Sequence, residues 1–449
     1  MIVAKFGGTS VQDAAAIARL VQIIGARAKE RPVVVVSALA RVTDRLLKLA
    51  EVVAAGDREG LETGITALVE RHQRIAAELA PESPAANEIK ADGKRLLTKL
   101  NAALKRQLSP RQLDAVAGRG ELWSAWLVEA ALRARGLDAI WVDAREMIVT
   151  DARFTRATPL MAVLETRVRA RLPGLLEQAK IPVTQGYVGA TDKGVPTTLG
   201  RGGSDFTAAL LGAALKAQRV EIWTDVDGLM TADPRIVPAA KTLPAASYNE
   251  AAELATFGAK VLHPATQLPL IRAGIPIVVL NSRAPEHTGT RIAPDAELLR
   301  MGDSPVRAVS FKQAITLITV RAPRMLGEYG FLRALFEVFE KNEVVVDVLA
   351  SSEVSVSLTI EDRSRLDIVR NQLKELGEVT IEDGRAIVAV VGIGMRRTPG
   401  LAARVFKALG PINVEVISQG SSEINMTFVV GQDDGPEAVR RLHREFFGE

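Results

Sequence analysis

Near the start of the chain, Lys5-Phe6-Gly7-Gly8-Thr9-Ser10 sets a cation, two glycines and two hydroxyls between an apolar run and a helical pattern. Glycines let backbone N–H groups approach an anion with no Cβ in the way. Thr9 or Ser10 can cap the helix that follows, and a helix N-terminus attracts phosphate. Lys5 adds a mobile positive charge at the strand end. The lysine precedes the glycines, so this is no Walker A loop. The segment is either a phosphate-binding turn or a plain strand-to-helix turn with a surface lysine.

A second constellation is Thr197-Thr198-Leu199-Gly200-Arg201-Gly202-Gly203-Ser204-Asp205, opening an apolar helix over Phe206–Leu215. Arginine suits a bidentate grip on carboxylate or phosphate. Ser204 or Asp205 is expected to cap the helix. A third, Trp223-Thr224-Asp225-Val226-Asp227-Gly228-Leu229-Met230, runs on to Asp233-Pro234-Arg235. It fails as an EF-hand, because loop positions one and twelve would be Trp223 and Pro234. A polar loop at the carboxyl end of a strand is instead where open α/β sheets bind ligands. Gly118-Arg119-Gly120-Glu121 places a carboxylate in a helical region, where each glycine costs about 1 kcal/mol relative to alanine and so implies a close approach to the backbone. Phe257-Gly258-Ala259-Lys260-Val261-Leu262-His263-Pro264 offers Lys260 as a second phosphate contact, or as an ordinary solvated lysine.

The elements positioning these residues alternate. Strands are expected at Ile2–Phe6, Val33–Ser37, Ala139–Val142, Ile181–Gln185, Arg219–Thr224 and Ile275–Leu280. Helices are expected at Ala14–Lys29, Thr43–Ala54, Leu61–Leu79 and Arg111–Arg135. Strands separated by helices argue for a largely parallel sheet covered on both faces. The wholly apolar Val33–Val36 suits a strand buried on both sides. Proline and glycine among polar residues mark a linker over Ala284–Pro305.

After the linker the chain repeats itself. Gly330–Ile360 aligns without gaps on Gly400–Val430, including Ser351-Ser352-Glu353 and Ser421-Ser422-Glu423. Each copy is expected to run strand, helix, strand, strand, helix, strand, the ferredoxin-like order. The second strand is placed at Val344 and Val346 in one copy and at Val414 and Val416 in the other.

Composition removes several functions. The 449 residues contain no cysteine, which excludes disulfides, Cys-ligated zinc and a cysteine nucleophile. The four histidines form no metal-binding pair. A net charge of +4, with 4% aromatic residues, lacks the basic, aromatic-interleaved patch of a nucleic-acid binder. No apolar run reaches the roughly 18 residues of a membrane span, and no signal peptide opens the chain, so a cytoplasmic protein is expected.

Taken together, KFGGTSV, GELWS, TTLGRGGSD, WTDVDG, DPR and FGAKVLHPAT follow the order seen in the aspartate kinases of the amino-acid kinase family, which the whole chain resembles. The C-terminal repeat resembles paired ACT domains. The resemblance implies an α/β fold: a three-layer sandwich with a mostly parallel sheet, plus two ferredoxin-like (βαββαβ) ACT domains. It implies a kinase domain over 1–295, a linker and strand over 296–313, and ACT domains over 314–384 and 385–449. The implied reaction is phosphorylation of the β-carboxylate of L-aspartate by ATP with Mg²⁺, the first step toward the aspartate-family amino acids.

Carried over by position, Lys5, Gly7, Gly8 and Ser37 would contact ATP phosphates, while Thr224, Asp225, Met230, Arg235 and Lys260 would line the nucleotide site. Met230 departs from the tyrosine of many relatives. Thr43, Glu121, Arg201, Ser204 and Asp205 would hold aspartate, Arg201 on the α-carboxylate and Glu121 with Asp205 on the ammonium. Lys5, Asp205 and Lys260 would be catalytic, and no protein metal ligand is implied. An amino-acid effector, lysine before threonine, would bind at Met325, Gly330, Phe331, Leu332, Asp347, Ser352 and Glu353, and the ACT domains would build a homodimer or homotetramer. Glutamate or acetylglutamate kinases, and a non-catalytic amino-acid sensor with a degenerate kinase domain, are the competing readings.

Overall fold

A computed structural model of the chain describes residues 1–257, 264–294, 305–327, 329–420 and 422–448. The chain forms two compact units, one of Met1–Leu229, Pro244–Tyr248 and Val261–Leu298, the other of Met230–Leu243, Asn249–Lys260 and Leu299–Glu449.

The first unit is built on an eight-stranded sheet in the order Ala139–Trp141, Ile181–Gln185, Pro32–Val36, Ile2–Phe6, Val220–Thr224, Ile277–Asn281, Thr290–Ala293, Ala245–Ser247. The first six are mutually parallel, and Thr290–Ala293 turns antiparallel. Val33–Val36 is completely buried, as an apolar central strand should be. Helices Ala14–Arg27 and Arg119–Ala134 pack their buried faces into the same core as Phe6 and Trp223.

Local chemistry corrects three expectations. Neither Thr9 nor Ser10 caps the helix Ala14–Arg27; the Asp13 carboxylate does, accepting from the Ala16 N–H at 2.8 Å. Ser10 is buried and its hydroxyl lies 2.8 Å from that of Ser282. The long helix over Arg111–Arg135 is two helices, Pro110–Ala117 and Arg119–Ala134. A Cβ on Gly120 would stand 2.7 Å from the Ala38 Cβ, so the close approach implied by this glycine is to the chain itself. Ser204 and Asp205 do not cap their helix, which runs Gly203–Leu215 from Gly202 with no side-chain cap. A small sheet of Val149–Thr150, Val188–Thr191 and Pro196–Thr198 stands beside the main one.

The second unit holds a six-stranded antiparallel sheet in the order Leu349–Ser351, Ser355–Ile360, Ala308–Arg321, Glu378–Val391, Asn425–Gly431, Val414–Gln419. Two 14-residue strands, Ala308–Arg321 and Glu378–Val391, run through both halves. In the first half, strand Ile315–Arg321, helix Phe331–Lys341, two strands, helix Leu366–Leu373 and the start of Glu378–Val391 give the ferredoxin-like order. The second half differs from the expected repeat. Its last helix is Gly435–Phe447, and the fourth strand position is filled by Ala308–Lys312, paired with Ile387–Val391. This segment, expected as a strand joining the regulatory region, closes the second apolar core through Val309. In the first copy Val344 and Val346 lie outside the ladder; the Thr359 hydroxyl takes the Val348 N–H at 2.9 Å, and regular pairing begins at Leu349.

Candidate active site

Parallel strands point their carboxyl ends to one edge of a sheet, and ligands bind outside that edge. Here the turns after Ile181–Gln185, Pro32–Val36, Ile2–Phe6 and Val220–Thr224 stand side by side along it. The Gly7 N–H donates to the Trp223 carbonyl at 3.0 Å, joining the glycine turn to the Thr224-Asp225 turn. The Ser37 N–H donates to the Phe6 carbonyl at 3.1 Å, joining it to the other neighbour.

A cleft of about 710 Å³ opens at this edge. Of the expected site residues, Lys5, Gly8, Ser37, Thr43, Glu121, Arg201, Ser204 and Asp205 all line it. Gly7, Thr224 and Asp225 do not, although their turn adjoins it. Met230 and Arg235 belong to the second unit, where Arg235 is paired with Asp233 and its side chain is exposed. Lys260 lies outside the described residues.

Lys5 is not the mobile surface cation its position at a strand end suggests. It is 8% exposed, and its Nζ is 2.6 Å from Asp205 Oδ1. Strand Ile2–Phe6 delivers the lysine, and the first turn of helix Gly203–Leu215 delivers the carboxylate. Glu121 is fully sequestered. Burial pushes its carboxyl up to about 7, against hydrogen bonds from the Ala38 N–H and the Thr43 hydroxyl. Its Oε2 has no hydrogen-bond partner. A buried, unpartnered carboxylate oxygen is costly unless a cation meets it. Arg201 is exposed in the turn between Gly200 and Gly202 and lines the same cleft.

The sequence did not single out Arg41, Asp44, Asp114, Thr155 or Tyr187, yet they also line the cleft. Arg41, Thr155 and Tyr187 adopt left-handed φ values of 67°, 72° and 69°. Such strain in non-glycine residues clusters at functional sites. The carboxyl-edge rule could have found Arg41 and Tyr187, which follow strands; Asp114 sits in an amphipathic helix and carries no local signal.

The expected effector residues fall in the first half of the second unit. Gly330 begins the helix that carries Phe331 and Leu332, and Phe331 shares a core with Met325. Asp347 is paired with Lys312 at 3.0 Å. Ser352 and Glu353 lie in the turn between two strands, where Ser352 bonds Ser355. Among the described residues no helix is long and apolar enough to cross a membrane.

The amino acid kinase family model matches residues 1–281, and an ACT domain model matches 388–446. The lysine-sensitive aspartokinase 3 of Escherichia coli is 38% identical over 463 aligned positions, covering 100% of this chain and 99% of the relative. The E. coli aspartokinase III structure with aspartate and ADP (R-state) superposes with a TM-score of 0.85 at 38% identity, each chain covered completely. Its structure with lysine and aspartate (T-state) gives 0.83, covering 100% of this chain and 99% of the other. Likeness of this extent, in sequence and in both kinds of unit, makes the chain a member of the aspartokinases within the amino acid kinase family.

Proposed function

We propose that the cleft transfers the γ-phosphoryl group of ATP to the β-carboxylate of L-aspartate, giving ADP and 4-phospho-L-aspartate. The observation that carries this reading is the buried, unpartnered Glu121 Oε2 facing the cleft that also holds Arg201 and the Lys5–Asp205 pair. An amino acid with two carboxylates matches that set: ammonium to Glu121 and Asp205, α-carboxylate to Arg201, β-carboxylate toward Lys5. Thr43, which already bonds Glu121, and Ser204 complete the acceptor side. The E. coli relative crystallised with aspartate and ADP supports the same pair of substrates.

The nucleophile is a carboxylate, ionised at neutral pH, so no general base is needed. One of its oxygens forms a bond to phosphorus as the bond from phosphorus to the ADP oxygen breaks. Catalysis is positioning and charge stabilisation. The Lys5 ammonium turns from Asp205 to the transferring phosphoryl group, and Asp205 is released to the substrate ammonium. Gly8 and the Ser37 hydroxyl serve the phosphates from a turn that Gly7 shapes, the Gly7 and Ser37 N–H groups being bonded to the Trp223 and Phe6 carbonyls, and Thr224 and Asp225 continue the nucleotide side along the sheet edge. Met230, Arg235 and Lys260 are assigned to the nucleotide by their motifs. Among the described residues no three His, Asp or Glu side chains gather to hold a metal. A magnesium ion arriving with the nucleotide would be held by phosphate oxygens and water and would neutralise phosphate charge.

The chain is divided, in this reading, into a kinase domain over 1–295, a connector over 296–313 and ACT domains over 314–384 and 385–449, with Ala308–Lys312 serving the second. The ACT pair senses an amino acid, lysine before threonine, through Met325, Gly330, Phe331, Leu332, Asp347, Ser352 and Glu353, and assembles a homodimer or homotetramer. The lysine-sensitive relative supports lysine. The protein works in the cytoplasm. A coupled ADP-release assay with aspartate, glutamate and acetylglutamate, each with and without lysine or threonine, tests the assignment. Turnover on aspartate alone is expected; turnover on another acceptor, or on none, overturns it.

A further inference from the structure

Asp114 is 2% exposed and lines the cleft, yet both its oxygens are engaged within the protein. Oδ1 accepts from the Thr155 N–H at 3.0 Å and the Thr198 hydroxyl at 2.7 Å. Oδ2 accepts from the Thr155 N–H at 2.9 Å and the Thr198 N–H at 3.1 Å. Three donors thus meet the carboxylate, the Thr155 N–H shared between its two oxygens, and neither oxygen is left without a partner inside the protein. The carboxylate ties helix Pro110–Ala117 to two segments distant in sequence, the turn around Thr155 and the strand Pro196–Thr198.

Those two segments also bond each other, through the Ala157 N–H and the Thr198 carbonyl at 2.8 Å. Thr155 is β-branched and holds φ at +72°, a conformation that such residues avoid. Its carbonyl stands 3.4 Å from where a Gly200 Cβ would be, so the strained turn backs the residue just before Arg201. Two residues beyond Thr198 the chain enters Gly200-Arg201-Gly202, whose own backbone is permissive. A permissive turn takes its geometry from what flanks it. Here the flank is Thr198 on one side and Thr155 behind, and Asp114 holds both.

We propose that Asp114 is a positioning residue of the acceptor site: by clamping Thr155 and Thr198 it sets where Arg201 stands, and so governs aspartate affinity without touching aspartate. The proposal rests on the assignment of Arg201 to the α-carboxylate. A carboxylate accepts from every partner with a full charge; an amide can keep the two N–H groups on its oxygen only by turning its NH₂ to the Thr198 hydroxyl, and it brings no charge to any of these bonds.

The test uses the full chain and steady-state ADP release with aspartate and ATP varied separately. Asp114→Asn should raise the aspartate KM by roughly tenfold, because the buried hydrogen bonds to Thr155 and Thr198 lose their charge, with the ATP KM within about twofold. Thr198→Val, which keeps the N–H and removes the hydroxyl from both Asp114 and Tyr187, should raise it by roughly threefold. Adding Thr155→Gly to Asp114→Asn relieves the left-handed strain and should recover about threefold of the loss. An unchanged aspartate KM in Asp114→Asn overturns the proposal. So does a proportionate loss in kcat and both KM values that Thr155→Gly does not rescue, since that marks a purely structural role. If Asp114→Asn does not fold, the Thr198→Val result decides alone. Failure of the wild-type chain to use aspartate would instead refute the assignment of the substrate.

Discussion

Replacing Glu121 with glutamine isolates the least ordinary group in the cleft. Burial moves this carboxyl from 4.5 to about 7, because one oxygen has no partner and its hydrogen bonds do not offset the lost water. A substrate ammonium binds the ionised form. With a midpoint near 7, about one molecule in ten is ionised at pH 6 and about nine in ten at pH 8. The aspartate dissociation constant should therefore fall roughly tenfold from pH 6 to pH 8, while ATP affinity shows no such step. Glu121→Gln should bind aspartate weakly and lose the step.

Stability carries the same signature. A raised folded-state value means that the group's contribution is fully present below 4.5 and is lost as pH rises through 7. At 1.36 kcal/mol per unit the loss is about 3 kcal/mol at most. Urea unfolding without ligand should thus show Glu121→Gln equal to wild type near pH 4 and more stable than it at pH 8. Calorimetric titration of aspartate at the three pH values 6, 7 and 8, alongside those urea curves, measures both effects. An aspartate affinity flat with pH, or an equal pH step in the glutamine variant, would refute the assignment of Glu121.

Lys5→Ala should lower kcat by roughly a hundredfold or more while moving the aspartate KM only a few-fold, as the proposed role of its ammonium at the transferring phosphoryl group requires; near-normal kcat in the ADP-release assay contradicts this role. Gly120→Ala places a methyl 2.7 Å from the Ala38 Cβ and should destabilise the protein by about 1–3 kcal/mol, read as a lower urea midpoint. Glu253 accepts from Asn425 at 2.7 Å and from Ser422 at 3.4 Å within the second unit. It sits on the helix Tyr248–Thr256 that precedes the Lys260 motif. Glu253→Gln should weaken the coupling of effector to nucleotide, raising the half-inhibitory lysine concentration by roughly threefold to tenfold with little change in uninhibited kcat; unchanged inhibition removes this helix from the coupling.

Elements marked by composition were legible in the sequence. Ile2–Phe6 and Ile181–Gln185 appear with the expected bounds, because short runs rich in apolar and β-branched residues mark buried strands even where Lys5 or Gln185 enters near the carboxyl end. The glycine-bearing turns were legible for the same reason, and eight of the residues they and their neighbours suggested meet in one cleft. What stayed hidden depends on partners far apart in sequence. Nothing near Lys5 announces Asp205 as its ion-pair partner, and nothing in Pro110–Ala117 marks Asp114 among the helix's other polar residues. The fourth strand of the second repeat was invisible because sheet pairing is not local. Ala308–Lys312 precedes the first repeat, while its register is set by Ile387–Val391. The capping errors arise from competition: Ser10 and Asp205 have the right side chains to cap, but a buried carbonyl and a lysine claim them first.

The central claim is that the β-carboxylate of aspartate becomes an acyl phosphate. Hydroxylamine traps acyl phosphates as hydroxamates. Incubating the protein with aspartate, ATP and magnesium in its presence should give aspartate β-hydroxamate in equal amount to ADP, and Arg201→Gln should abolish both together. ADP formed without hydroxamate, or hydroxamate formed from glutamate in preference to aspartate, would contradict the account.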